Sequence, residues 1–98
     1  MTQMLEGIRV LEFATDVAGP SAGKLLADYG AEVLKIEPPA GDPSRSAGPF
    51  PGDVPHPEKS GLFLHLNTNK QSMTLNLEME EGRSIARRLI GHADVVID

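Results

Sequence analysis

Apolar positions along this chain fall into blocks of two periods. Residues 7–13, GIRVLEF, place Ile8, Val10, Leu11 and Phe13 in a near-continuous apolar run. That is the pattern of a strand covered on both faces. Residues 32–37, EVLKIE, predict a second strand. Between them Ala22, Leu25, Leu26 and Tyr29 recur at helical spacing. Pro20 suits the first turn of that helix, where the amide it lacks would be unpaired anyway. Gly30 stands where a left-handed C-terminal cap belongs. Strand, helix and strand with short joints predict a βαβ unit with a right-handed crossover.

The second half repeats the alternation of periods. Residues 72–77, SMTLNL, set Met73, Leu75 and Leu77 against Thr74 and Asn76, as in a half-covered strand. In MEEGRSIARRLIGHA, Ile85, Leu89, Ala86 and Ile90 form a helical stripe. Glu80 and Glu81 favour the positive N-terminal end, Arg87 and Arg88 the opposite end, and Gly91 is expected to close the helix. DVVID, 94–98, reads as another strand of the buried type, which needs cover on both faces. The helix expected after it is absent, so the chain is expected to be the N-terminal part of a longer polypeptide. LFLHLNTNK, 62–70, fits either a short helix or a strand.

Residues 38–61 break the pattern. They hold seven of the eight prolines and four glycines, so little regular structure is expected. A loop this long in a compact domain usually has a function or is disordered.

Composition narrows the function. The 98 residues carry a formal net charge of -5. An acidic surface repels nucleic acid and anionic membranes, so neither is an expected partner. The chain has no cysteine, which removes disulfides, thiol catalysis and cysteine-based zinc sites. No apolar run approaches the ~20 residues of a membrane span. The opening residues lack the pattern of a secretory leader, and a cytoplasmic protein is expected.

Gly23-Lys24 prompts a test for phosphate-binding loops. A Walker loop needs four residues between its glycine and Gly-Lys, then Ser or Thr. Here three residues separate Gly19 from Gly23, and Leu25 follows the lysine. The G-x-G-x-x-G fingerprint is absent too. What remains is a helix N-terminus with amides at Ala18, Gly19 and Ser21, able to attract polar or negative groups. It lies at the carboxyl end of a strand, where open α/β sheets bind ligands. A tight turn that needs small residues explains the same stretch. Arg45, just past the turn GDPSR, could meet a phosphate or be solvated. Lys70, before a strand, could neutralise an anionic ligand or lie in a solvated turn. Asn67 and Asn69 suit turns. His56, His65 and His92 have no metal-ligand spacing, no metal site is expected, and no carboxylates form an evident catalytic pair. Asp16 is the one acid beside the candidate ligand turn.

Four ordered blocks go further than these motifs. LEGIRVLEF, AGPSAGKLLADYGAEVLKIEPPAGDPSR, FLHLNTNKQSMTLNL and EEGRSIARRLIGHADVVID resemble, in order and spacing, the N-terminal segment of the class III CoA-transferases. That family includes formyl-CoA transferases, carnitine CoA-transferases and 2-methylacyl-CoA racemases. The resemblance implies an α/β fold: a Rossmann-like parallel sheet with flanking helices, of which residues 1–98 form the N-terminal portion of the large domain. It implies an interlocked homodimer and acyl-CoA and a carboxylic acid as substrates. Coenzyme A then enters as substrate, with no covalently bound cofactor. In the transferases an aspartate attacks the donor thioester, which is covalent catalysis by a carboxylate. In the racemases an acid–base pair moves the proton α to the thioester.

Carried over by position, the CoA-facing turn maps to Val17 and Ala18. Formyl-CoA members have glutamine at Val17. A common CoA-contacting arginine falls at Pro38, so that charge is missing, and Arg45 is a candidate substitute. The strand after Lys70 maps nucleotide contacts to Leu75, Asn76, Leu77 and Glu78. The resemblance places the catalytic aspartate downstream, so no catalytic residue is expected within these 98. A 2-methylacyl-CoA racemase fragment, or a non-catalytic nucleotide-binding or interaction module, are the rival readings.

Overall fold

The computed structural model describes residues 3–98. Four strands, β1 (Arg9–Glu12), β2 (Glu32–Glu37), β3 (Gln71–Thr74) and β4 (Val95–Ile97), form one parallel sheet in the order β3-β2-β1-β4. Three helices connect them: α1 (Ala18–Asp28), α2 (Gly61–Leu66) and α3 (Glu80–Gly91). The order 3-2-1-4 is that of the first half of a doubly wound sheet, and its topological switch lies between β1 and β4. The expected α/β, Rossmann-like class is therefore the one observed.

Each face of the sheet has its own core. Val10 and Val33 pack with Ala27 and Ala31 against α1, joined by Leu26 and Ile97. On the other face Leu11, Ile36 and Leu75 pack with Ala86 of α3, joined by Phe13, Ile85 and Leu89. β2 has the expected bounds. β3 ends at Thr74, short of the expected Leu77, although Leu75 still packs into the core. β4, expected to be buried, lies at the sheet edge with Val95 and Val96 41% and 44% exposed. Gly30 takes φ 105°, the left-handed conformation its cap position called for. Gly91, by contrast, stays inside α3 and His92 is the cap, with its Nδ1 2.8 Å from the carbonyl of Arg88.

Two other expectations are corrected. The inward stripe of α1 is Pro20, Gly23 and Ala27, with Leu26 beside it. Leu25 and Tyr29 are 59% and 55% exposed. The reason is proximity. A Cβ on Gly23 would overlap the Glu12 carboxylate beneath it, and one on Gly19 would overlap the Cβ of Ala14. The helix lies too low for bulky side chains underneath.

The loop 38–61 is more ordered than its composition implies. It contains two 3₁₀ turns, Pro43–Ser46 and Pro51–Asp53. Ser60 ties it down by accepting the amide of Phe63 at 3.1 Å and capping α2, while its hydroxyl lies between the carbonyls of Ser44 and Ala47. The ambiguous stretch after it is helical because that cap starts it and Asn67 ends it, donating Nδ2 to the Phe63 carbonyl at 2.9 Å.

Candidate functional site

Parallel strands in register line up like residues, and here that aligns charge as well as apolar side chains. Glu12 of β1 pairs in register with Lys35 of β2. Both face α1, one step beyond the apolar Val10–Val33 rung, and both are buried. Lys35 Nζ lies 2.9 Å from Glu12 and 2.8 Å from Asp42. Lys70 Nζ lies 2.8 Å from the other Glu12 oxygen, donates to the Pro20 carbonyl at 2.9 Å and to Asn67 Oδ1 at 2.7 Å. The four side chains are at most 1% exposed. Glu12 Oε1 and Asp42 Oδ2 have no hydrogen bond of good angle. At 2.8 Å their ammonium contacts are nonetheless full ion pairs.

A second pair continues the network. Arg45 forks onto Glu37 with both nitrogens at 2.9 Å and stacks 3.8 Å over the Phe63 ring. Glu37 also accepts the Asp42 amide at 3.1 Å and the Ser72 hydroxyl at 3.0 Å. Three acids and three bases thus balance beneath α1 and the 38–46 loop. Burial opposes ionisation of Asp42 and Glu37, but Lys35 and the Ser44 donors, and Arg45 with the Asp42 amide, outweigh it and hold both carboxyls below their ordinary values. Burial pulls the Lys70 ammonium down from its ordinary value, against the support of Glu12.

A cleft of about 750 Å³ opens at the carboxyl ends of the strands, on the α3 face. Phe13 and Thr15 after β1, Pro38 to Ala40 after β2, Leu75 to Glu78 after β3, and Val96 and Asp98 of the last strand line it, with Ile90 of α3. Parallel α/β sheets bind ligands at this edge. A smaller hollow of about 220 Å³ lies at the opposite, amino-terminal edge, beside Arg9, Glu32 and His92. The cleft rim is fixed from below. A Cβ on Gly82 would strike the Asn76 backbone, and Arg83 donates to the Leu77 and Glu78 carbonyls at 3.1 and 3.0 Å.

Of the nine residues expected at the CoA site, the structure brings together Pro38, Leu75, Asn76, Leu77 and Glu78. Val17 and Ala18 start α1, two and three residues beyond Thr15. Ser21 donates its amide to the Val17 carbonyl at 2.8 Å, inside the helix, so it is not a free donor as the sequence implied. The solvated readings of Lys70 and Arg45 are corrected: one ammonium is enclosed, and the guanidinium is committed to Glu37, Phe63 and the Pro57 carbonyl. Neither lines the cleft, and none of its lining residues is basic.

Glu12, Lys35, Glu37 and Asp42 were not singled out from sequence. The signal was present: charges at inward positions of strands covered on both faces must be buried, and buried charges are paired.

A parallel sheet in the order 3-2-1-4 with a crevice at its switch point defines an α/β domain of the doubly wound kind. The sequence matches the profile of CoA-transferase family III over residues 5–98, and the chain belongs to that family. It is 41% identical over 96 residues to a cinnamoyl-CoA:phenyllactate CoA-transferase of Clostridium sporogenes, covering 98% of this chain and 23% of that protein. It is 45% identical over 98 residues to a formyl-CoA:oxalate CoA-transferase of Streptomyces avermitilis, again 23% of the relative. Among solved structures, a CAIB/BAIF family protein from Brucella suis superposes with a TM-score of 0.86 at 38% identity, over 98% of this chain and 25% of that one. The chain thus spans about a quarter of the length of these relatives.

Proposed function

We propose that residues 1–98 are the N-terminal portion of a CoA-transferase large domain and form one wall of its coenzyme A site. The enzyme moves CoA between an acyl-CoA donor and a carboxylic acid, and the attacking carboxylate comes from outside this segment. The observation that carries the reading is the cleft at the carboxyl edge, where five positions mapped from the family converge. The names of the relatives, each a CoA-transferase, favour transfer over epimerisation.

The lining limits which part of CoA this wall receives. Its side chains are mostly apolar, with Glu78 and Asp98 as acids, Glu37 already neutralised by Arg45, and Pro38 at the family's arginine position. Such a wall suits the uncharged pantetheine or adenine and repels phosphates. Phosphate recognition falls to groups elsewhere in the enzyme. The interlocked homodimer belongs to the same reading.

The test is made on the full-length polypeptide. CoA transfer from an acyl-CoA to a carboxylate is followed by chromatography, with 2-methylacyl-CoA epimerisation as the competing assay. Epimerisation without transfer makes the racemase reading correct. In parallel, Pro38→Arg, which restores a cation at the rim, is expected to tighten CoA binding about fivefold, on the order of 1 kcal/mol for an exposed charge pair. Leu77→Asp is expected to weaken it. A Kd unchanged in both variants puts CoA outside the cleft.

A further inference from the structure

The buried charges do more than fill the space beneath α1. Lys35 Nζ donates to the Ala14 carbonyl at 3.0 Å, and Asp42 Oδ1 accepts the Asp16 amide at 3.2 Å. These two side chains, themselves 2.8 Å apart, hold both ends of the three-residue turn 14–16. Thr15, at its middle, lines the cleft. Asp16 has φ 66°, a left-handed conformation uncommon for a residue other than glycine. Such a backbone persists only where its surroundings enforce it. Neither Lys35 nor Asp42 lines the cleft.

We propose that Lys35 and Asp42 are positioning residues that fix the Ala14–Asp16 turn against the bound acyl-CoA. The proposal rests on reading the cleft as the CoA site. Asp42 is itself held in place by the end of β2 and the loop that follows it. Its amide is bound by Glu37, its Oδ1 accepts the amide and hydroxyl of Ser44 at 2.9 and 2.8 Å, and Glu37 is clamped by Arg45 on Phe63. The folded 38–46 loop is the part that carries the carboxylate to the turn. Arg45 acts on the site through this chain of contacts.

The experiment compares Asp42→Ala with the parent in the full-length polypeptide by amide hydrogen exchange and by steady-state kinetics. Loss of the carboxylate frees the Asp16 amide, whose exchange is expected to rise about tenfold while β1 and β2 amides keep their protection. The KM for acyl-CoA is expected to rise about tenfold with the KM of the acceptor acid unchanged. Unchanged exchange at Asp16 in a folded variant overturns the hold. Faster exchange with an unchanged acyl-CoA KM overturns the positioning role. A parent that neither binds nor turns over acyl-CoA defeats the CoA reading and the role in it, while the exchange arm still decides the hold. If Asp42→Ala does not fold, Asp42→Asn replaces it. A neutral acceptor holds the amide less tightly than a charged one, so exchange at Asp16 is expected to rise about threefold; no rise overturns the proposal.

Discussion

At the residue scale, a few side chains explain features that look arbitrary in the sequence. Gly23 is followed by lysine, yet its purpose is to clear Glu12 rather than cradle a phosphate. Alanine normally favours a helix over glycine by about 1 kcal/mol. At Gly23 the added Cβ meets a carboxylate pinned between two lysines, so Gly23→Ala is expected to lower stability. At Gly91, where a Cβ meets nothing within 4 Å, alanine is expected to raise it by about 0.5–1 kcal/mol. Urea denaturation of the two variants reads both signs. Lys70→Met strips one partner from a buried carboxylate, and a loss of about 3 kcal/mol is expected. Lys35 still holds the other Glu12 oxygen, so pairing Lys70→Met with Glu12→Gln removes the uncompensated negative charge of the network and is expected to recover much of that loss.

At the element scale, the α1 side shows why parts of the fold were readable and parts were not. Element types follow from local periodicity and end signals, and β2, α3 and the Gly30 cap were legible for that reason, whereas β1 and β3 are shorter than the runs that predicted them. The inward face of α1 was not, because Leu25 and Tyr29 share a helical spacing with positions that never meet the sheet. Only the low seat of the helix on Glu12 selects Pro20, Gly23 and Ala27 instead. The two outer strands differ in the same way. β3 presents Gln71, Ser72 and Thr74, whereas β4 presents Val95 and Val96 at 41% and 44% exposure. An apolar edge strand templates association. Light scattering of the 98-residue chain is expected to show concentration-dependent association, reduced in Val95→Lys; a monomer at all concentrations would contradict this.

At the scale of the whole molecule, the chain is a slab of 41 × 41 × 19 Å with a radius of gyration of 14.0 Å, slightly above the ~13 Å of a compact domain of 100 residues. Its layers are held by two modest apolar cores and one charged network, and the network sets the acid limit. Asp42 and Glu37 titrate below their ordinary values of 3.8 and 4.5 in the folded chain. The unfolded chain therefore binds protons first as pH falls. Their contribution is complete above the ordinary values and is lost as pH drops through the depressed ones. Urea midpoints are expected to hold down to about pH 5 and fall steeply below about pH 4. Asp42→Asn is expected to flatten that fall, because one of the buried network's two depressed carboxyls is gone.

Local order in the amino acids was enough to specify alternating strands and helices, the βαβ start and the family-like blocks, since periodicity, capping and turn chemistry act over a few residues. Which charges would be enclosed, and which positions would face the cleft, depended on strands brought together from opposite ends of the chain. Glu12 meets Lys35 across 23 positions and Lys70 across 58. That registration exists only after folding, because low-dielectric burial is what turns a scattered set of ordinary charges into one mutually dependent network.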